Sequence, residues 1–289
     1  MEIDIPQGKY VLAVSGGVDS MVLLDLLAKK SVAELVVAHF NHGIRPDSAE
    51  DEKLVTEAAQ GYNLPLEVGY GNLGPGASEE QARTARYNFL ESVAKKHKAN
   101  GVITAHHQDD LIETAFLNII RGTGRTGLSS IRHSKVYRPL LDVPKKEILA
   151  YARSNKIQWH EDTTNIDTRY LRNYIRFHVM SRLTTAEKAE IVNNLDKVAK
   201  INKIIDNEIA TLSRIHQDNR LDRRAYIMLP TRVAEELLMN FLRQNKLGHF
   251  DKKTIKRLDT AIKTGQPGSE HDITGGRKLK LTIASADLI

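Results

Sequence analysis

The chain has 289 residues, 41% hydrophobic and 27% charged, the balance of a folded protein with enough length to bury a core. It contains no cysteine and no run near the ~20 apolar residues that span a bilayer, which excludes disulfides, thiolate metal sites, thiolate nucleophiles and membrane-spanning helices. The net charge of +6 is uneven: residues 1–184 hold 23 basic and 22 acidic side chains, residues 185–289 hold 19 and 14.

A basic terminal module suits a polyanionic partner, and it equally suits an ordinary, slightly basic surface. The start, MEIDIPQGKY, is not a basic segment leading into an apolar one, so no secretory signal is expected and a cytoplasmic location without membrane association follows.

In chain order, YVLAVS (10–15) reads as a strand that ends in Gly-Gly, and MVLLDLLAKK (21–30) as a buried helix. ELVVAHF (34–40) is a second strand, followed by a helix from about Ser48 to Gln60. LPLEVGY (64–70) is a third, and a Gly/Pro-rich loop leads from it into a long helix over 78–98. GVITAHH (101–107) is a fourth, with the helix DDLIETAFLNIIR directly behind it. Residues 123–144 read as irregular, 145–155 as a helix and 161–179 as a polar stretch. From about Thr185 the pattern is helical and amphipathic, apart from a β-like tail, RKLKLTIA (277–284).

Strands that are continuous apolar runs, alternating with helices, predict an α/β fold: a parallel sheet with helices on both faces, followed by a smaller, mainly helical C-terminal domain. The boundary is expected near residue 184, separating a catalytic domain (1–184) from a basic one (185–289). Ligands of such sheets sit at the carboxyl ends of the strands. The two chemically richest turns, 15–20 and 106–113, both fall there.

In Ser15-Gly16-Gly17-Val18-Asp19-Ser20 the glycines allow positive φ and close approach to a phosphate. The helix behind them offers free amides and the positive end of its dipole. Ser15 and Ser20 add hydroxyls, and Asp19 can hold magnesium or orient a donor. The hexapeptide lacks the Gly-Lys-Ser/Thr of a Walker A loop and the G-x-G-x-x-G of a dinucleotide fold. The competing reading is a plain glycine turn. In the second cluster Glu113 lies three and four residues from Asp110 and Asp109, on a shared helix face. Crowded carboxylates need a compensating cation, either a metal or an ammonium group. The competing reading is acidic residues favouring a helix N-terminus.

SGGVDS after a first strand resembles the PP-loop of the N-type ATP pyrophosphatases, whose fold is adenine nucleotide α-hydrolase-like. That resemblance implies that the loop grips the β- and γ-phosphates while an acceptor oxygen attacks the α-phosphorus, so that AMP is transferred and pyrophosphate leaves. It also places Ala38 and His39 against adenine, although His39 reads equally as a strand-end histidine without a ligand. Many PP-loop enzymes that act on tRNA install sulfur through cysteine, and ammonia-releasing glutaminases use a cysteine nucleophile. This chain has none, which leaves a preformed amine as the nucleophile.

Six segments resemble one family, the tRNA(Ile)-lysidine synthetases, in order and spacing: VAHFNHGIR (37–45), QARTARYNFL (81–90), HHQDDLIET (106–114), RGTGRTGLSSI (121–131), RPLLDVPKKEI (138–148) and EDTTNIDTRYLRNYIR (161–176). The resemblance implies a reaction in which ATP adenylates the C2 carbonyl oxygen of the wobble cytidine in CAU-anticodon tRNA(Ile). The ε-amine of free L-lysine then attacks C2, giving lysidine, AMP and pyrophosphate. It implies that Ser15, Gly16, Gly17, Val18, Asp19 and Ser20 bind ATP with Ala38, His39 and Arg121, and that Asp110 and Glu113 bind lysine. Asp19, Asp110 and Glu113 are the catalytic residues so implied, with Asp110 helping to deprotonate the lysine ammonium; Asp19 and Asp109 would serve Mg2+. Arg172, Asn173 and Arg176 are read as tRNA phosphate contacts or as local salt-bridge partners.

The family often has Gly-Leu-x-Gly-Ile where this chain has Gly127-Leu128-Ser129-Ser130-Ile131, and the length resembles that of members without an additional C-terminal domain. The 185–289 module is then expected to dock tRNA through Lys197, Lys200, Lys203, Arg223 and Arg224, with Lys252, Lys253 and Lys256 as further candidates. The alternatives are a PP-loop ligase that forms amides or amidines on a small metabolite with free ammonia, and a nucleotide-sensing protein without turnover. The sequence leaves the oligomeric state open, a homodimer among the options.

Overall fold

The computed structural model describes residues 3–30, 33–43, 48–71, 78–128, 131–132, 136–161, 171–247, 250–273 and 276–289. It divides into two compact units, Met1–Arg121 with Ser130–Leu195, and Gly122–Ser129 with Asp196–Ile289.

In the first unit β1 (Lys9–Ala13), β2 (Glu34–Asn41), β3 (Leu66–Tyr70), β4 (Gly101–Ile103) and β5 (Val136–Tyr137) form a sheet in the order β3-β2-β1-β4-β5. Each pairing is parallel, with Val11 opposite both Val36 and Val102. Alternate side chains leave opposite faces. Tyr10, Leu12, Val37 and Ile103 join a core with α1 (Val18–Lys30), α2 (Ser48–Gly61) and α6 (Lys145–Ser154). Val11, Val36, Ala38 and Val102 join another with Leu90 and Val93 of α3 (Glu79–Lys96). Covering both faces is what permits uninterrupted apolar strands. A capping box between Ser78 and Gln81 starts α3.

β5 falls in the stretch read from sequence as irregular. Two residues carry no periodicity, and the strand is fixed by its surroundings: Tyr137 meets Tyr10 edge-on at 5.1 Å, and the Arg138 guanidinium donates to the carbonyls of Ile131 and Val136.

A third cluster joins Leu111, Ile112 and Leu117 of α4 (Gln108–Ile120) to Ile175 of α7 (Leu171–His178) and to Val192 and Leu195 of α8 (Thr185–Thr211). The first unit therefore continues to Leu195, past the boundary read near 184, because the opening turns of α8 supply core residues.

The second unit contains α5 (Arg125–Leu128), the rest of α8, α9 (Arg223–Ile227), α10 (Thr231–Gln244) and α11 (Lys252–Thr264). It also holds an antiparallel sheet of β6 (His216–Gln217), β7 (Arg220–Asp222), β8 (Glu270–Asp272), β9 (Lys278–Leu281) and β10 (Ser285–Leu288), in the order β6-β7-β10-β9-β8. Only the β9 region, where Lys and Leu alternate, showed in the sequence; the other strands, of two to four residues, carry no such alternation. Phe241, Leu238, Leu258, Leu279 and Ala286 form the core of this unit. Arg125 donates to Asp206 at 2.7 Å and Glu236 at 2.8 Å, which ties the 122–129 segment to α8 and α10. Among the described residues no helix is long and apolar enough to cross a membrane.

Arg223 corrects one expectation. It is 5% exposed, and its guanidinium donates to the carbonyls of Ile262, Thr282 and Gly265 at 2.7, 2.8 and 2.5 Å. Each of its three nitrogens donates to a main-chain carbonyl inside the fold, so its guanidinium is not presented to a nucleic acid. Arg223→Met is expected to lower the unfolding free energy by about 3 kcal/mol by stranding buried carbonyls, read as a lower denaturant midpoint. Arg224→Ala, at an exposed neighbour, is expected to shift it by less than ~0.5 kcal/mol.

Candidate active site

β1 is extended by one bond, Val14 N–H to the Ala38 carbonyl, before the chain turns at Ser15. Gly16 has φ +92°, which favours glycine, and a Cβ there would sit tightly against Asp51 at 3.3 Å. Ser20 locks the turn: its hydroxyl donates to the Gly17 carbonyl at 2.9 Å and accepts the Ser15 amide at 3.1 Å. The Gly16 carbonyl accepts the His160 amide at 3.1 Å, and His160 Nδ1 meets Asp51 Oδ1 at 2.9 Å. The loop is thus held by its own hydrogen bonds, with the first-turn amides of α1 lacking intrahelical acceptors.

Ser15, Gly17, Asp19 and Ser20 line a cavity of about 430 Å3 together with Ala38, His39, His106 and Asp110. That volume lies in the range of small-molecule sites. The two turns singled out in the sequence therefore share one cavity. His39 is buried; its Nδ1–H donates to the Val14 carbonyl at 2.9 Å, while Nε2 has no partner among the described residues. A buried, unsatisfied nitrogen in the wall of a cavity favours a ligand role for His39 over the bland alternative.

At the head of α4, His107 is the N-cap, and Asp110 Oδ2 accepts its amide at 2.9 Å. His107 Nε2 lies between two carboxylates, 3.7 Å from Asp19 and 3.5 Å from Asp110. Burial works to raise the Asp110 pKa, but His107, Arg172 and the hydrogen bond from the His107 amide overcome it and bring it to about 2. A carboxyl held that low is a poor proton acceptor, which counts against the expected part of Asp110 in deprotonating lysine. Burial drives the His106 pKa down to about 3, against the pull of Asp110 and with help from Arg138, Arg86 and Arg172.

Glu113 is buried, and both its oxygens are occupied. Arg176 binds it through Nε at 2.7 Å and Nη2 at 2.9 Å, and Arg172 adds Nε at 3.1 Å. Arg172 also donates to Asp110 Oδ1 at 3.2 Å. Of the two readings offered for Arg172 and Arg176, the structure places both arginines in local pairs with the carboxylates.

Asp109 and Asp110 part company although they are adjacent in sequence. Asp109 accepts Lys188 Nζ of α8 at 3.0 Å and is not among the residues lining the cavity that holds Asp19. Asp19 instead accepts Lys145 Nζ at 2.5 Å. Among the described residues, no three His, Asp or Glu side chains gather as a metal site. Magnesium at a nucleotide needs only one or two carboxylates beside phosphate oxygens. Asp19 fits that requirement at the loop, and Asp109 does not. Arg121 caps the far end of α4, roughly 18 Å along the axis from Asp109. The structure therefore does not bring it to the phosphate loop. Lys145 is the functional candidate that sequence reasoning missed, its motif having been quoted without a role. Of the other quoted segments, 44–45, 162–170 and Ser129–Ser130 lie outside the described residues.

Residues 2–183 match the family model described as a PP-loop domain. The chain belongs to the PP-loop family. Among curated relatives, this PP-loop chain is 33% identical over 268 residues to the tRNA(Ile)-lysidine synthase of Thermosipho africanus, covering 86% of this chain and 61% of the relative. It is 36% identical over 265 residues to the protein of the same name from Mycoplasma mycoides, covering 86% and 65%. The chain thus spans a little under two thirds of these relatives' length. Among solved structures, the U34-tRNA thiolase NcsA of Methanococcus maripaludis with its 4Fe-4S cluster aligns with TM-score 0.55 at 18% identity, over 67% of this chain and 73% of that one. At that identity the likeness speaks for the fold.

The buried His106 yields a prediction about pH. Its pKa falls from 6.5 to about 3 on folding, so between those values the unfolded chain binds more protons and stability rises with pH. Asp110, lowered from 3.8 to about 2, adds the same sign below pH 4. Replacing His106 with Asn is expected to flatten the change in denaturant midpoint between pH 4.5 and pH 7 relative to the parent chain; an unchanged slope would show that His106 is not buried neutral.

Proposed function

We propose that this PP-loop chain forms lysidine, joining free L-lysine to C2 of the wobble cytidine of CAU-anticodon tRNA(Ile) at the expense of ATP. One observation carries the reading: the phosphate-type loop Ser15–Ser20 and the carboxylate Asp110 face one cavity. The likeness to tRNA(Ile)-lysidine synthases over most of the chain supports the choice of substrates.

The cytosine C2 carbonyl is a weak electrophile with no good leaving group, and adenylation of its oxygen remedies both defects. The loop amides and the hydroxyls of Ser15 and Ser20 hold the β- and γ-phosphates. The carbonyl oxygen attacks the α-phosphorus, and pyrophosphate departs into a nest of donors that needs no rearrangement. Ala38 and His39 flank the adenine, the free Nε2 of His39 serving as its polar contact. Magnesium, when bound at Asp19, supplies charge neutralisation for the phosphates. Asp110 holds the lysine ammonium in place for attack on C2, which expels AMP. Glu113 acts one step removed, fixing Arg172 and Arg176 so that Asp110 is correctly presented.

Docking of tRNA falls to exposed cations of the second unit, Lys197, Lys200 and Lys203 on α8 together with Arg224, Lys252, Lys253 and Lys256. Lys197, Lys200 and Lys203 recur every three residues and share one helix face. Alanine at these three is expected to weaken tRNA binding and to reduce the log–log salt slope by about 2, with ATP binding unchanged; an unaltered slope would move the docking surface elsewhere.

The reaction is tested by incorporation of radiolabelled lysine into tRNA with release of AMP and pyrophosphate. ADP and orthophosphate as products, or turnover that ignores tRNA, would defeat the reading; the second outcome would favour a small-metabolite ligase. Asp110→Asn is expected to raise the lysine KM about tenfold or more while sparing ATP affinity.

A further inference from the structure

The helix α7 presents two unlike faces. Arg172 and Arg176, four residues apart, share one of them and pair with Glu113 and Asp110, while Ile175 packs in the cluster that holds Leu111 and Ile112 of α4. Tyr174 lies two residues from each arginine and so projects from the opposite side, about 200° around the helix. Its ring rests on His178, with 4.5 Å between centroids, yet Tyr174 stays 49% exposed. Phe177, one turn further on, is 42% exposed and is the one exposed phenylalanine among the described residues. Leu171, at the start of the helix, is exposed as well. Single apolar side chains on a surface are ordinary, but here three of eight helical residues, two of them aromatic, form a patch on the outer side of one helix.

The surroundings select the kind of partner. From Leu171 to Leu183 the chain has Arg172, Arg176 and Arg182 and no acidic residue. Arg182, in the turn Met180–Arg182 that follows α7, is exposed. Flat rings beside a cation, on a segment free of carboxylates, suit an anion that carries flat rings of its own: the unpaired bases and phosphates of single-stranded RNA. The place fits too. Arg172 donates to Asp110, which lines the cavity, and Tyr174 stands across α7 from that contact, about one helix diameter or 10 Å away. A base that undergoes chemistry has to leave its stack, which deprives its neighbours of a stacking partner. Nucleotides adjoining a target in the cavity span the width of α7.

We propose that Tyr174 and Phe177 form a stacking platform for the bases next to the modified cytidine, on the outer face of the helix whose inner face sets the carboxylates. The rings replace the stacking that those bases lose when the target is extruded, and so they hold the loop in its opened form. Two nitrogens of Arg176 on Glu113 resist rolling of α7 and keep the platform aimed. The inference rests on the lysidine reading above in taking the RNA to be a CAU anticodon loop.

The test uses the full chain with Tyr174→Ala, Phe177→Ala, the double variant and Tyr174→Trp. The probe is a CAU anticodon stem-loop RNA in which 2-aminopurine replaces the adenine that follows the wobble cytidine. Each single alanine variant is expected to bind the stem-loop about tenfold more weakly, and the double variant more weakly still. The log–log salt slope and ATP affinity are expected to stay unchanged, because no phosphate contact is removed. Tyr174→Trp is expected to retain the parent affinity, and 2-aminopurine bound to the double variant to fluoresce more brightly than on the parent chain, where stacking quenches it. Unchanged affinity in the double variant would overturn the proposal, as would failure of the parent chain to bind the stem-loop. If sedimentation then showed a dimer of the parent chain dissociating in the double variant, the face would belong to a second copy of the chain. Failure of the parent chain to incorporate lysine while it binds the stem-loop is a different result, which removes the lysidine reading and leaves the RNA platform standing.

Discussion

Negative charge is concentrated at the carboxyl ends of the parallel strands, and the chain has to neutralise it internally before it can admit a polyphosphate. Asp19, Asp51, Asp109, Asp110 and Glu113 each meet a cation or an imidazole supplied by a different stretch of sequence: Lys145, His160, Lys188, Arg172 and Arg176. Isolated buried carboxylates would be strongly penalised. The positions of α6, α7 and the start of α8 are thus coupled to the chemistry of α1 and α4, and the segment after β5 is as much a part of the site as the sheet is.

The sheet contributes the other half of the arrangement. It delivers the Ser15–Ser20 turn and the His106–Asp110 turn to the same edge, so that the head of α1 and the side chains of His106 and Asp110 share one cavity. Gly16 and Ser20 fix the shape of the first turn, and the His107 cap fixes the second. Both turns are held by hydrogen bonds of their own, and fixed donors are what electrostatic stabilisation of a leaving group calls for.

Much of this was legible in the residues, and the limits of legibility are physical. β1 to β4 announced themselves because both faces of a parallel sheet are buried, and the phosphate loop because glycine and serine are confined to particular places within a strand–turn–helix. The parting of Asp109 from Asp110 was open only in principle: consecutive helical residues project about 100° apart, but their partners, Lys188 and Arg172, lie 79 and 62 residues away. Lys145 was invisible for the same reason. β5 and the short strands of the second unit were missed because they are set by pairing and not by their own composition.

Arg223 carries a lesson for how the basic half of the chain is to be dissected. Its guanidinium works as an internal rivet between the end of α11 and the turn that precedes β10. A survey that neutralised cations one at a time and scored only lost activity would rank it among the strongest hits, beside true surface lysines. Normalising each variant to its natively folded fraction would separate the two kinds of loss, and the rivet would drop out of the footprint.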